Sequence, residues 1–390
     1  MLEDYRMSFV STPVLDVKTM INTLIPVTLM TGFLGSGKTT VLNHLVRQPE
    51  LADALVIINE FGEIGLDHLL VAQSTENIIT EMSSGCLCCT IRGDLVKTLS
   101  DITWRFARKG KRQFRRVLIE TTGLADPAPI IHTLMTEPTL ASRYRLDGVV
   151  VTIDGVTAEH TLDQYPEAVK QAAVADCILL TKSDLVATEN YSRLHKRLDS
   201  INPSALRWQV THGQVDPEHV LNLGLFSTDS KVPDVARWLK EEAYAINADS
   251  GLINQPHHHH DHDHDHGHGQ HHHPHPHDHP HDVNRHDDHI RAFCLSIDKP
   301  ITKESYLAWL DLLMVFVGSN VLRVKGILNI VGYDYPMVIH GVQHIFHPPA
   351  PLSAWPGEDR RSRIVFITRD VEREAVEQIF KYISNTPSRS

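Results

Sequence analysis

The sequence predicts an α/β protein in which helices flank a mostly parallel sheet, followed by a smaller α+β domain. Two observations carry this prediction. Short apolar runs alternate with helical stretches from residue 24 onward, which is typical of a parallel sheet covered by helices. A tract that cannot form a core then divides the chain, because residues 257–289 hold 17 of the 27 histidines, seven Asp and only Val283 as an apolar residue.

The composition shift at this tract sets the expected domain boundaries. We predict an N-terminal extension (1–23), a larger α/β domain (24–246), a disordered His/Asp-rich linker (247–289) and the α+β domain (290–390). In the last domain the pattern predicts a strand, a helix over 303–317, three strands through Phe346, a strand over 364–368 and a helix over 371–383.

Charge and cysteine usage exclude several classes of protein. A formal charge of -11 argues against a nucleic-acid binder, which normally carries a basic face. The acidic start at residues 2–4 predicts no secretory signal, and the interrupted apolar run over 21–34 is too short to span a membrane. Five unevenly spaced cysteines indicate a reducing compartment, so we expect a cytoplasmic protein without a membrane partner.

The first strand, predicted over 27–31, leads into a glycine-rich turn and a helix within "PVTLMTGFLGSGKTTVLNHL" at residues 26–45. Gly32-x-x-x-x-Gly37-Lys38-Thr39 fits the P-loop pattern, in which backbone N–H groups surround a phosphate at a helix N-terminus. Lys38 would reach the β- and γ-phosphates, and the Thr39 hydroxyl would bind Mg²⁺. The alternative is a tight turn without a ligand. The predicted phosphate-binding residues are Gly32, Gly35, Ser36, Gly37, Lys38, Thr39 and Thr40.

The next buried strands are predicted over 54–58, 116–119, 146–153 and 177–181. Ligands in parallel sheets bind at the carboxyl ends of strands, so the polar residues that follow each strand become candidates. Glu120-Thr121-Thr122-Gly123 follows one of them, and we predict Glu120 as the Mg²⁺-side acid and Gly123 as the γ-phosphate sensor. The alternative for Glu120 is a carboxylate at the surface. Lys38 and Glu120 are the predicted catalytic residues, and no side chain stands out as a hydrolytic base.

Thr181-Lys182-Ser183-Asp184 follows the last of these strands and resembles the guanine-recognition element Asn-Lys-x-Asp. A carboxylate at Asp184 can accept hydrogen bonds from two guanine donors that adenine lacks, which favours GTP over ATP. Thr181 replaces the usual Asn, which leaves open whether its hydroxyl can replace the amide bridge to the P-loop. We predict that Thr181, Lys182 and Asp184 contact the nucleotide.

Three of the five cysteines lie in "GCLCCT" at residues 85–90. Thiolates bind zinc in tetrahedral sites that normally use four ligands, so Cys86, Cys88 and Cys89 form an incomplete set that suits metal release. Glu63 is the first candidate to complete the set, with His68 second. Thiols packed at a helix start and a redox centre are the alternatives. Cys177 and Cys294 stand alone in apolar runs and are expected in the core.

Together these motifs resemble the CobW-type metallochaperone GTPases: "GFLGSGKTT", "NEFGE", Cys-x-Cys-Cys, "ETTGLADP", "TKSD" and, near the C-terminus, "RVKGIL". The resemblance covers nearly all of residues 24–385. It implies a P-loop GTPase domain over 24–246, GTP and Mg²⁺ as cofactors, and delivery of Zn²⁺ or Co²⁺ to a client metalloprotein. A homo-oligomer is possible. The alternatives are a metal-buffering protein with a regulatory nucleotide site and a nickel-enzyme accessory GTPase.

The remaining histidines have two interpretations. Neutral imidazoles in the 257–289 tract would capture metal ions, although the same composition suits a solvated linker. In the C-terminal domain, strand alternation predicts that His340, His344 and His347 scatter over different faces as surface residues.

Overall fold

The computed structural model of the 390-residue protein describes residues 24–58, 69–71, 95–103, 107–108, 111–112, 114–223, 289–347, 349–352 and 354–384. The strands, in chain order, are β1 (Ile25–Gly32), β2 (Ala54–Ile58), β3 (Leu69–Val71), β4 (Ala107–Arg108), β5 (Lys111–Arg112), β6 (Arg116–Glu120), β7 (Tyr144–Asp154), β8 (Cys177–Thr181), β9 (Leu206–Val210), β10 (Ile290–Ile297), β11 (Val321–Leu328), β12 (Met337–Val342), β13 (Ile345–Phe346), β14 (Ala350–Pro351) and β15 (Ser362–Arg369). The helices are α1 (Lys38–Leu45), α2 (95–103), α3 (Ala128–Thr136), α4 (Pro138–Ala141), α5 (Ala158–Gln164), α6 (Pro166–Val174), α7 (Thr188–Ile201), α8 (Lys303–Val317) and α9 (Arg373–Ser384).

The larger domain is built on a sheet that, in the part described, has the order β3-β2-β6-β1-β7-β8-β9. Six of these strands are parallel, and β3 joins the edge antiparallel to β2. The parallel strands are apolar almost throughout because helices cover both faces of the sheet. The predicted α/β class is therefore confirmed, and strands β2 and β8 have the predicted bounds.

Two features of this sheet were not predicted. Strand β9 lies at one edge, and because most of its residues are only partly buried it has a weaker apolar signal than the central strands. The short antiparallel β3 lies at the opposite edge. Both edge strands form because the neighbouring strand leaves backbone groups that require partners.

The smaller domain is an antiparallel sheet with the order β10-β15-β11-β12-β13, and β14 also pairs with β12. Helices α8 and α9 pack on one face of this sheet around Trp309, which is fully buried. Helix α8 has the predicted bounds, and Thr302 caps it because its hydroxyl accepts a hydrogen bond from the Ser305 N–H. The predicted α+β architecture is confirmed.

The other face of the C-terminal sheet packs against the larger domain. Its apolar residues belong to the same buried cluster as residues of helices α3, α6 and α7. Cys294 lies in this shared core, and Cys177 lies in the core of the larger domain, so both isolated cysteines are buried as predicted. The two domains therefore share one hydrophobic core across the described residues.

The prediction of surface histidines on β12 and β13 is wrong for two of the three residues. His340 and His347 are buried, and their rings lie 5.2 Å apart between centroids. The hairpin pairs them, since the His347 N–H donates to the His340 carbonyl at 2.8 Å. His344 is exposed, as expected. Strand alternation places side chains on a face but does not tell whether a second domain covers that face.

Within the described residues, no helix combines the length and the apolar character that crossing a bilayer would require.

Candidate functional site

The candidate nucleotide site begins at the turn between β1 and α1. Gly35 and Gly37 have φ values of 70° and 89°, a left-handed conformation that glycine adopts without steric cost. Gly37 is the N-cap of α1, and its carbonyl accepts the first hydrogen bond of the helix, from the Val41 N–H at 3.0 Å. Gly32 lies so close to Thr152 on β7 that no Cβ would fit. The turn therefore has the shape of an anion-binding loop at a helix N-terminus.

Lys38 and Ser36 fix the inside of this loop. The buried Lys38 ammonium donates to the Gly32 carbonyl at 2.9 Å and to the Phe33 carbonyl at 3.1 Å. The Ser36 hydroxyl lies 2.6 Å from the Thr152 hydroxyl. These contacts hold the ammonium over the turn and anchor the turn on the central strand β7.

Thr39 and Glu120 come together across two neighbouring strands of the sheet. The Thr39 hydroxyl donates to Glu120 Oε1 at 2.9 Å, and Glu120 is only 4 % exposed. The alternative of a surface carboxylate is therefore wrong. A hydroxyl and a buried carboxylate beside a phosphate-binding loop supply the oxygen ligands that Mg²⁺ prefers, so these residues fit that ion.

The turn after β6 is attached to the P-loop. The Thr121 N–H donates to the Met30 carbonyl at 2.9 Å, and its hydroxyl donates to the Thr31 hydroxyl at 2.7 Å. Gly123 packs on the backbone of Leu34, whose nitrogen would lie 2.6 Å from an added Cβ. Only glycine permits this approach, so the predicted γ-phosphate sensor lies against the predicted phosphate loop.

Thr181 makes the bridge that the usual Asn would make. Its hydroxyl donates to the Ser36 carbonyl at 2.8 Å, and its side chain lies 3.4 Å from the position of a Cβ on Gly37. Lys182 has a left-handed φ of 53°, and its ammonium donates to the Gly35 carbonyl at 3.2 Å. A hydroxyl at this position therefore joins the predicted guanine element to the P-loop.

Asp184 lies beyond this bridge in a short 3₁₀ turn over Ser183–Leu185, and it is exposed. The Lys182 ammonium also pairs with Asp154 at 2.6 Å, which holds the turn beside the end of β7. The Asp184 carboxylate is thus on an accessible edge of the site, where it can accept hydrogen bonds from a base.

The sequence reasoning missed the turn after β9. His212 and Gly213 both have left-handed φ values, and a Cβ on Gly213 would lie 2.8 Å from the Thr40 side chain. The Thr211 hydroxyl lies 3.5 Å from that of Ser183. The turn thus lies between the predicted Thr40 and the predicted guanine element. The available signal was a polar turn after a strand, and β9 itself was too weakly apolar to be recognised.

The predicted transition-metal ligands Cys86, Cys88, Cys89 and Glu63 lie outside the described residues, as does His68. Among the residues that are described, no group of three His, Cys, Asp or Glu side chains is arranged to hold a metal ion. The cysteine site therefore stays a prediction, and so do the 246/247 and 289/290 boundaries and the His-rich linker.

Comparison with known proteins finds a matching family for each of the two domains. The family described as "CobW/HypB/UreG, nucleotide-binding domain" matches residues 26–208, and the "Cobalamin synthesis protein cobW C-terminal domain" matches residues 290–383. The zinc chaperone YjiA of Escherichia coli is 31 % identical over 356 residues, covering 91 % of this chain and 98 % of that protein. The zinc-regulated GTPase metalloprotein activator 1 of Schizosaccharomyces pombe is 32 % identical over 213 residues, covering 53 % of this chain and 51 % of that protein.

A solved structure agrees with these sequence matches. The crystal structure of Zn(II)-bound YjiA GTPase from E. coli has a TM-score of 0.60 and 28 % identity, covering 92 % of this chain and 99 % of that one. The likeness thus extends over both domains. The chain belongs to the CobW-type family of P-loop GTPases.

Proposed function

We propose that this protein binds and hydrolyses GTP to control the loading of a divalent transition metal at Cys86, Cys88 and Cys89 and its delivery to a client metalloprotein. Zn²⁺ is the favoured cargo, because the relatives named above are a zinc chaperone and a zinc-regulated GTPase. Co²⁺ is the alternative cargo. Hydrolysis would favour release of the metal.

The nucleotide part of the proposal is supported by the geometry of the site. Gly32 to Thr40 would hold the phosphates, with Lys38 neutralising charge on the β- and γ-phosphates. Thr39 and Glu120 would hold Mg²⁺, which supplies charge neutralisation at the phosphates when bound. Asp184 would select guanine, and the turn after β9 would close the base side of the pocket.

The place in the sequence of the predicted metal ligands supports coupling between nucleotide binding and metal binding. Strand β2 ends at Ile58, which pairs with Glu120 in the parallel register. Strand β2 therefore ends beside the predicted Mg²⁺ ligand, and in the sequence it is followed by Glu63, then β3, then the three cysteines. A γ-phosphate and Mg²⁺ bound at Glu120 would act directly on the residues that follow β2.

The metal part follows from thiolate chemistry. Three cysteines and one carboxylate give a four-ligand set of the kind that zinc adopts. In the sequence, Glu63 lies closer to the end of β2 than the cysteines do. A change at the nucleotide would therefore alter the zinc-ligand set by moving Glu63. Losing one ligand would weaken the site and allow transfer to a client.

The test is a competition titration of Zn²⁺ against a chromophoric chelator, with Mg²⁺ and either a non-hydrolysable GTP analogue or GDP. Allosteric coupling of about 1 to 3 kcal/mol predicts that Zn²⁺ binds about 5- to 150-fold more tightly in the GTP-analogue state. Cys88→Ser should weaken this tight binding and leave the affinity of metal-free protein for GTP nearly unchanged.

The matched control is Cys294→Ala, which removes a buried thiol from the C-terminal sheet and should leave Zn²⁺ affinity unchanged. Equal Zn²⁺ affinity in the two nucleotide states would mean that the cysteines are not a nucleotide-gated site. GTP turnover measured with and without Zn²⁺ and Co²⁺ distinguishes this function from simple metal buffering, in which turnover would not respond to either ion.

A further inference from the structure

Gln171 is a polar side chain buried on helix α6 between the two domains' shared core and the nucleotide site. It is 1 % exposed, and its neighbours on the helix, Ala168, Ala172 and Ala173, are apolar and buried. Burying an amide costs free energy unless hydrogen bonds compensate for the lost water. The hydrogen bonds that compensate the Gln171 amide go to the turn after β6.

The Gln171 amide holds that turn by two carbonyls. Its Nε2 donates to the Gly123 carbonyl at 3.2 Å and to the Ala125 carbonyl at 3.0 Å. Its Oε1 accepts no hydrogen bond from any of the described residues. The contact therefore uses only the donor half of the amide, and that half points to the segment that we assign to the γ-phosphate.

The turn is fixed on its other sides by the P-loop strand. Thr121 is bonded to β1, and Gly123 packs on the Leu34 backbone. Between these contacts, the Ala125 N–H closes the turn on the Thr122 carbonyl at 3.1 Å, and the Gly123 carbonyl is bonded from outside the turn. Gln171 supplies that bond and so adds a second restraint on the Gly123–Leu124 peptide.

The end of the same helix is held by the C-terminal domain. One helical turn beyond Gln171, the Val174 carbonyl accepts a hydrogen bond from Arg323 Nη1 at 2.7 Å. Arg323 also pairs with Asp176, and the Lys325 ammonium pairs with Asp176 at 2.7 Å. These charged groups are almost fully buried, and together they hold the end of α6 and the residues that follow it against strand β11.

We propose that Gln171 is a positioning residue for GTP hydrolysis, and that helix α6 links the γ-phosphate turn at Gly123 to the C-terminal domain through Arg323. The proposal rests on the assignment of Gly123 to the γ-phosphate. If Gly123 moves toward the phosphate, its hydrogen bond pulls the Gln171 side chain with it. Helix α6 passes this displacement over one helical turn to Val174, which is bonded to Arg323 on β11. Conversely, a partner that moves the C-terminal sheet alters the turn and therefore the rate of hydrolysis.

The experiment uses the full-length chain and the variant Gln171→Met, which has a similar volume and no donor. We expect kcat for GTP to fall about tenfold, a loss of about 1.4 kcal/mol in the transition state. The Kd for GDP should stay within about twofold, because GDP lacks the γ-phosphate to which the turn is assigned. The control is Asn320→Ala, which removes an amide that donates to the Arg369 carbonyl within the C-terminal domain and should leave kcat unchanged.

The link through α6 is tested by Arg323→Lys, which keeps the charge beside Asp176 and removes the planar group that reaches the Val174 carbonyl. It should lower kcat severalfold, and the double variant should be no slower than Gln171→Met alone, since both changes act on the same turn. Additive losses would refute the link. An unchanged kcat in Gln171→Met, or an equal loss of GDP affinity, would refute the positioning role. If the wild type binds the GTP analogue but does not hydrolyse GTP, the proposed function fails instead.

Discussion

Replacing Thr181 by Val tests whether a hydroxyl has taken over the bridge between the guanine element and the P-loop. Val keeps the methyl group that faces Gly37 and removes the donor that reaches the Ser36 carbonyl at 2.8 Å. Ser36 is buried, at 2 % exposure, so water cannot readily replace this donor. Leaving a buried acceptor unpaired costs about 1 to 3 kcal/mol.

This loss should appear in two measurements. The free energy of unfolding in urea should fall by about 1 to 3 kcal/mol, because the bond is present without nucleotide. If restoring the loop conformation takes about 1 kcal/mol from the binding free energy of GTP, the Kd for GTP should rise about fivefold. Binding is measured by titration with a fluorescent GTP analogue in the presence of Mg²⁺.

The matched control is Thr368→Val in β15. Thr368 is also fully buried in a strand, and its hydroxyl donates to the Val371 carbonyl at 2.7 Å. It should lose a similar unfolding free energy and bind GTP with wild-type affinity. If Thr181→Val loses the same stability as Thr368→Val and still binds GTP as tightly as the wild type, the hydroxyl does not preorganise the P-loop and the reasoning is refuted.

Three further predictions concern other parts of the chain. Asp184→Asn should lose much of the preference for GTP over ATP, measured as the ratio of kcat/KM values, and a wild-type protein that hydrolyses both equally would contradict the guanine assignment. Deleting residues 257–289 should lower the number of Zn²⁺ ions bound per chain in equilibrium dialysis and leave one tight site and the GTPase activity, whereas loss of tight binding would move the primary site into the tract. Burial lowers the pKa of His347 to about 3 and holds that of His340 well below its ordinary value. Because the unfolded chain takes up protons near pH 6.5 and these buried rings do not, the unfolding free energy should fall as pH falls from about 6.5 toward 3, by up to about 1.4 kcal/mol per pH unit for each ring. His347→Gln should flatten this slope in urea unfolding at pH 7 and pH 5, and the exposed His344→Gln should not.

Local residue patterns were sufficient to predict the P-loop and the central strands of the larger domain. The glycines of the P-loop, Lys38 and Thr39 lie within one strand–turn–helix segment, and such a segment has few alternative conformations once its glycines require a tight turn. The central strands were predictable for a similar reason, since strands covered on both faces are continuous apolar runs. The edge strand β9 was not recognised because most of its residues are only partly buried and it includes the polar Arg207 and Gln209.

The tertiary structure decided which distant residues meet. Glu120 and Thr39 are far apart in the chain, and only the order β6-β1 in the sheet brings their side chains within 2.9 Å. On the other side of β1, the order β1-β7-β8 brings the end of β8 near the P-loop, so the Thr181 hydroxyl can donate to the Ser36 carbonyl where an amide is usual. Sequence alone left that substitution undecided.

The contact between the two domains was beyond sequence reasoning altogether. Alternation along β12 and β13 gives each side chain a face of the sheet, and it cannot show that helices of another domain cover that face. His340 and His347 were therefore expected at the surface and are buried, and Gln171 drew no attention although it joins helix α6 to the Gly123 turn. Burial is a property of what packs against a residue, and here the packing partner lies on the other side of the His-rich tract in the sequence, so only the folded chain could identify it.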